Sequence, residues 1–362
     1  MGKNCWMLLL TLSSLSLIAQ ISTQAKKTAV QRTPIPSSNV QFDDGIPLSG
    51  INASPVMTDP IKCSPDGVAF LDFLQPPMFQ LHAVYSVSPS KKITKFSLGQ
   101  IPGISDMTLN GYYPGNYKVA FLLLAKKHDM VALPHSDAKE DSPRDLQYFI
   151  ALFDRDGKYD KLLSLNLPFR PMQVALFDSG KIVVLGHDEI NDLSKIAFLD
   201  TDGSLMRYLD PTSTIAADKT ISKSFGGTNG SALIEALGTA QFVPFEEAIL
   251  LVSRGSRLPI EIIRESGIAR QVELDLPDDE VISTFIPSTS RNWYVRSMIP
   301  RGSQGLPKSL AVYQIDPQTG MRTRDYSIGV FIPAIGCETD GSFSAFLYDN
   351  KKNQIQLRIG EE

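Results

Sequence analysis

The chain has 362 residues, 43% apolar and 20% charged, with 25 glycines and 24 prolines. This composition excludes a disordered chain and a collagen-like one, and the length suffices for a large buried core. Thirty-five basic against 39 acidic side chains leave a formal charge of -4, so no basic excess exists to displace phosphate counterions and no nucleic-acid partner is expected.

The first element in chain order is a leader. Lys3 precedes an almost uncharged, leucine-rich stretch from Trp6 to Ala19. That stretch is shorter than the ~20 residues needed to cross a bilayer core of ~30 Å. It fits a secretory signal over residues 1–25, cleaved after Ala25 with Thr23 at minus three in preference to Ala19; an uncleaved anchor is the competing reading. No later apolar run is long enough to span, so the mature chain is expected to be secreted or periplasmic, without a membrane span. Residues 26–39 read as a flexible Ser/Thr/Pro linker and 40–362 as one domain.

Strand-like runs succeed one another through that domain: VAFLDFL (68–74), HAVYSV (82–87), KVAFLLLA (118–125), YFIALFD (148–154), KIVVLGH (181–187), KIAFLD (195–200), AILLVS (248–253), IEIIR (260–264), WYVRSM (293–298), SLAVYQID (309–316) and FSAFLYD (343–349). They are short and rich in β-branched and aromatic residues. The single helix candidate is Ser231 to Leu237, behind the glycine-rich FGGTNG.

The turns between the runs recur in two classes. One class, between third and fourth strands, reads SPSKK (88–92), DRDGK (154–158), DTDGS (200–204), ESGI (265–268) and DPQTG (316–320). The other, between first and second strands, reads SPDG (64–67), YPGN (113–116), DSG (178–180), PFEE (244–247), PSTSRN (287–292) and ETDG (338–341). Such Asp/Ser/Gly clusters make tight hairpin turns. A four-stranded antiparallel unit recurring every ~45–55 residues predicts a β-propeller, and six first turns predict six blades. In this repeat architecture and its DG-type turns the chain resembles the exported six-bladed propellers of the NHL-repeat-like and TolB-like kind. Only IQLRI (355–359) comes after FSAFLYD, so the last blade lacks a strand, which the segment Val40 to Ile51 is expected to supply.

A propeller gathers its turns on two faces. First-to-second and third-to-fourth turns share one face, and all of these are short. The second-to-third loops and interblade links share the other face. There they are long and varied: QPPMFQ (75–80), residues 126–147, HDEINDLS (187–194), RGSRLP (254–259), PRGSQGLP (300–307) and the link 210–238. Long loops on a rigid scaffold usually carry binding, which makes this the expected binding face. An acidic sector holds His128, His135, His187 and Asp188, and a basic sector holds Arg254, Arg257 and Arg301. Opposed sectors of this kind orient a dipolar partner.

Six-bladed lactonase-like enzymes hold a calcium ion at the start of their inner strands. That resemblance implies Asp59, Asp106 and Glu280 as oxygen ligands for Ca2+, but Arg170 at the same level departs from the pattern, and a channel-lining charge network with water is the preferred reading of these residues. No HxH, HExxH, CxxC, GxSxG or Walker spacing occurs, so neither a transition-metal site nor a nucleophile is marked. Cys63 and Cys337 hold equivalent positions in the first and last repeats, where they can form a disulfide or remain two buried thiols. The sequence therefore predicts an all-β, monomeric propeller that binds a protein, peptide or glycan partner on its long-loop face. The alternative is a calcium-dependent hydrolase or lyase at the channel mouth.

Overall fold

The computed structural model describes residues 34–51, 61–75, 81–127, 146–191, 193–209, 240–299, 311–328, 335–352 and 354–362. The leader, the 231–237 helix candidate, Asp59, His128, His135 and Arg301 lie outside the described residues. Chain contacts separate Met1–Ile35 from a compact unit, Pro36–Glu362, which holds all the named strands.

Pro36–Glu362 is all-β and propeller-like. Sheet 1 consists of β3 (Lys62–Cys63), β4 (Ala69–Gln75), β5 (Leu81–Val87) and β6 (Ile93–Phe96). Sheet 2 is β7 (Ile104–Pro114), β8 (Lys118–Lys127), β9 (Leu146–Asp154) and β10 (Tyr159–Leu165). Sheet 3 is β11 (Arg170–Leu176), β12 (Ile182–Asp188), β13 (Leu193–Leu199) and β14 (Leu205–Leu209). Sheet 4 is β15 (Ala240–Phe245), β16 (Ala248–Ser253), β17 (Ile260–Arg264) and β18 (Gly267–Val272). Each is an antiparallel meander, and its hairpins fall on the recurring turn sequences.

The rest of the chain departs from six separate blades. A nine-stranded sheet runs β19 (Val281–Ile286), β20 (Trp293–Met298), β21 (Ala311–Ile315), β22 (Arg322–Ile328), β1 (Ser37–Phe42), β25 (Gln354–Glu361), β24 (Ser342–Asp349) and β23 (Ile335–Thr339). The short β2 (Ile46–Pro47) adds to β25. The segment expected to complete the last repeat does pair with it, Gln41 opposite Glu361 and Phe42 opposite Gly360. The strand begins earlier than expected: Ser37–Asn39, read from sequence as the end of the linker, pair together with Val40 in parallel with β22, from Ser37 opposite Asp325 to Val40 opposite Ile328. One strand thus satisfies two open edges, and this fuses what would otherwise be two blades. The ends of the sheet meet: the Glu338 amide donates to the Pro287 carbonyl, and the Thr289 amide to that of Glu338, at 3.0 and 3.1 Å.

The apolar runs result from burial on both faces of each sheet. In β8, Val119, Phe121, Leu123 and Ala125 face sheet 1; Phe121 packs with Phe96 of that sheet and with Tyr112 of its own. Ala120 and Leu122 face sheet 3. Such strands read as continuous hydrophobic runs rather than alternating ones. Further cores lie between sheet 4 and β19–β21, around Trp293, and between β19–β22 and β23–β24, around Tyr294 and Phe343. A last core joins β24–β25 to sheet 1. The cores therefore succeed one another in a ring. Within it β3, β7, β11 and β15 lie side by side in order, and β23 touches both β19 and β3. Packing between neighbours is close: at Gly320 (φ +71), a Cβ would sit 1.9 Å from the Glu273 carbonyl oxygen.

The ring is joined covalently where first and last repeats meet. Cys63 on β3 and Cys337 on β23 form a disulfide with their Cα atoms 5.9 Å apart and a sequence separation of 274. A crosslink over so long a loop restricts the unfolded chain. Reduction should lower unfolding free energy by about 2–4 kcal/mol, read as a lower urea midpoint with reductant than without. Equal midpoints would show that the bond adds nothing to closure.

One buried charge stands out in the cores. Glu261 on β17 is 3% exposed; its Oε1 accepts from Gln271 Nε2 at 3.1 Å, and its Oε2 has no partner among the described residues. Burial pushes its carboxyl up to about 7, against the pull of the Gln271 hydrogen bond. Between pH ~4.5 and ~7 the unfolded chain releases a proton that the folded chain keeps. Stability therefore falls with rising pH across that window, by roughly 2–3 kcal/mol. Glu261→Gln should flatten this slope and be the more stable protein at pH 8, as measured by urea denaturation across the range.

Candidate functional site

The first turns of the sheets meet around the axis and are held there by specific contacts. Arg155, on the β9–β10 turn, is the main clasp. Its Nη1 donates to the carbonyls of Gly115 and Asn116 at 2.8 and 3.2 Å, on the β7–β8 turn. Its Nη2 donates to Ser64 Oγ and Asp66 Oδ1, both at 2.9 Å, on the β3–β4 turn. Desolvation would raise the Asp66 pKa, but the Ser64 hydroxyl and the Arg155 guanidinium outweigh it and hold that carboxyl below its usual range. Asn116 Nδ2 donates to both carboxylate oxygens of Asp178, on the β11–β12 turn, at 3.0 Å. Farther round, the Asp340 amide donates to Thr289 Oγ1 at 3.4 Å.

These turns enclose a groove. Its central cleft, of about 370 Å³, lies among Tyr113, Asn116, Asp178, Glu246, Glu247 and Arg264–Ser266. A second cleft of about 290 Å³ shares the 115–116 and 176–178 segments and extends past Tyr117 to Lys161 and Thr201. A third, of about 460 Å³, shares Glu246, Glu247 and Arg264 and extends to Pro65 and Ser288–Arg291. Shared walls make the three one continuous depression on the short-turn face. Tyr117 stands beside it with 71% of its surface exposed. Glu246 occupies the two-residue β15–β16 turn at φ +51, a left-handed conformation that Gly or Asn adopts with less strain.

Tyr113 lies at the base of the central cleft, 2% exposed. Burial first, and the nearby Asp178 charge second, push its hydroxyl far above the usual phenol range, so it stays protonated.

On the long-loop face, Asp188, Arg254 and Arg257 are engaged within the fold. Asp188 is 3% exposed and takes hydrogen bonds from the Ile190 and Asn191 amides, Asn191 Nδ2 and Lys195 Nζ. The Lys195 contact foremost, then Asn191, holds its carboxyl far below the ordinary carboxylate range. It locks its own turn. His187 is half-buried beside it on β12. Arg254 Nε donates to the Ser283 carbonyl at 2.9 Å. Arg257 donates to the carbonyls of Leu276, Pro277 and Glu280, clamping the link between sheet 4 and β19. These cations tie the fold rather than stand free for a partner.

The implied calcium ligands are likewise engaged locally. Asp106 sits at a β7 bulge (φ +47), 3.3 Å from Lys126 Nζ. Glu280 accepts from the Ser297 and Tyr313 hydroxyls, the latter at 2.8 Å. Arg170 is exposed, with Glu189 at 3.9 Å. Among the described residues no group of three or more His, Cys, Asp or Glu is spaced to hold a metal ion.

Loop length pointed away from this groove. Two sequence signals point to it: a tyrosine in the YPGNY turn and an acidic doublet in PFEE, side chains that a tight turn does not itself need.

No protein-family model and no curated protein matches the sequence. Among solved structures, the chain is similar to a protein of unknown function from Dyadobacter fermentans. The TM-score is 0.46 at 9% identity, over 89% of this chain and 99% of that one. It is similar to YCF48 bound to D1 peptide, with a TM-score of 0.40 at 11% identity over 91% and 97% of the two chains. Porphyromonas gingivalis dipeptidyl peptidase 4 gives a TM-score of 0.36 at 12% identity, over 82% of this chain and 43% of that one, less than half the peptidase's length. These likenesses are distant and carry no function over to this chain.

Because Arg155 holds two walls of the groove, Arg155→Ala should cost about 1–3 kcal/mol at pH 7. Part of that difference rests on ionised Asp66, whose lowered pKa stabilises above its ordinary value and is lost as pH falls through the folded one. The gap between variant and wild type in urea denaturation should therefore narrow as pH is lowered progressively below the ordinary carboxylate range. An unchanged midpoint at pH 7 would mean the turns are held by other contacts.

Proposed function

We propose that the chain is a six-bladed, extracytoplasmic β-propeller that binds an extended peptide segment of a protein partner in the groove across its short-turn face. In this reading β19–β22 is the fifth blade, β23–β25 the sixth, and β1 joins them. The ring of inter-sheet cores and the six first turns support the count. The leader and the Cys63–Cys337 bond support an oxidising compartment outside the cytoplasm.

The observation that carries the binding reading is the groove itself, three clefts with shared walls and an exposed tyrosine at the side. Tyrosine is a frequent anchor of binding energy, and a concave, extended depression suits a linear ligand better than a globular surface. The binding face is accordingly placed opposite the one that loop length suggested. The hydrolase reading has less support, because Asp106 and Glu280 each serve a nearby partner.

Phage-displayed random peptides panned against the oxidised domain test the proposal. Recovered peptides should lose about tenfold or more in affinity to Tyr117→Ala or Ser266→Trp, in keeping with loss of a binding anchor. They should keep full affinity for Ile190→Asp, whose side chain is 92% exposed on the opposite face. Peptides that bind both groove variants normally would overturn the groove as the site.

A further inference from the structure

Resting on that groove, we propose that its central cleft is a subsite for one cationic side chain, lysine or arginine, of the bound peptide. Asp178, Glu246, Glu247 and Glu265 line the cleft, with Arg264 as the cation among them. Glu265 is paired with Lys181 at 2.8 Å, and Asp178 accepts from Asn116. Glu246 and Glu247 are exposed and make no ion pair among the described residues. The cleft is thus left with surplus negative charge at its opening.

A second observation is independent of the carboxylates. Tyr113 is only 2% exposed, yet it forms part of the cleft lining, and its hydroxyl has no hydrogen-bond partner among the described residues. The hydroxyl opens on to the cleft and stays protonated, so it offers an acceptor to a cation and a donor to a neighbouring carboxylate. An unpartnered polar group at the base of an acidic cleft is completed by an ammonium or guanidinium donor.

The form of the cation is set by spacing. The carboxylates do not converge as a metal set among the described residues, so the charge is spread over the cleft walls. Leu176, Phe177 and Ile249 share the lining. A charge carried on an aliphatic stem matches both features, the stem against apolar wall and the head among carboxylates. A volume of about 370 Å³ accommodates one such side chain with its solvent.

The test uses acetylated, amidated nonapeptide pools with the central residue fixed as Lys, Arg, norleucine, Gln or Glu and the other positions mixed. Affinities are read by fluorescence polarisation on the oxidised, full-length protein. Lys and Arg pools should bind about tenfold tighter than norleucine and Gln pools, and the difference should shrink at about 0.5 M salt. The double variant Glu246→Gln, Glu247→Gln should bring Lys and Arg pools to the norleucine level while leaving norleucine binding unchanged. Both side chains are exposed, so folding is preserved. Tyr113→Phe should reduce Lys and Arg binding about threefold, without moving norleucine binding, for the net loss of one hydrogen bond exchanged with water. Equal affinity for cationic and norleucine pools, lost in both cases with Tyr117→Ala, overturns the cationic subsite and leaves the groove standing. Pools that fail to bind, or that bind Tyr117→Ala normally, overturn the groove and the subsite together.

Discussion

Every sheet in this protein is apolar on both faces, and that can be satisfied only if each sheet has a neighbour on either side. A linear stack of such sheets would leave two apolar faces in water. The ring removes them: sheet 1 packs against sheet 2 through Phe96 and Phe121, and against β24–β25 through Phe73, Phe346 and Leu357. Closure is therefore a hydrophobic requirement before it is a matter of hydrogen bonding. The Cys63–Cys337 bond and β1 act at this closing sector.

The same ring shapes the groove. Inner strands that crowd the axis bring their first turns within reach of one another, so single side chains can tie two sheets. Arg155 joins the β3–β4 and β7–β8 turns, and Asn116 joins the latter to β11–β12. Short turns bound in this way form a rigid rim in which carboxylates can be held without neutralising partners. On the opposite face Arg257 and Asp188 have other duties. Arg257 clamps three carbonyls and Asp188 closes its own turn.

Much of the strand pattern was legible, for physical reasons. WYVRSM and AILLVS become β20 and β16 with the same bounds, because strands buried on both faces read as short runs rich in apolar, β-branched and aromatic residues between turn signals. The turns were legible because Gly157, Gly203 and Gly320 adopt positive φ where a tight reversal demands it. The parallel pairing of β1 with β22 was not legible, since SSNVQF carries one buried side chain, Val40, and little periodic signal. The roles of Arg257 and Asp188 were hidden for another reason. Sequence shows that a loop is charged, but not whether its charges face carbonyls of their own chain. Loop length carried no signal of the groove, because concavity on the short-turn face arises from convergence of turns and not from their size.

The dual pairing of β1 has a consequence for the order in which the molecule assembles. Residues 37–42 emerge well before their partners, Asp325–Ile328 and Gly360–Glu361, which lie 288 (325 - 37) to 320 (361 - 41) residues farther along the chain. Sheets 2, 3 and 4 are each built from contacts local in sequence and can form as the chain appears. The strand that seals the ring must wait, holding its backbone groups solvated, until those partners are present. Contacts this distant in sequence are slow to form. Until they do, the edges of β22 and β25 remain open to strands of other molecules, so the window before sealing is the period of greatest exposure to misassembly.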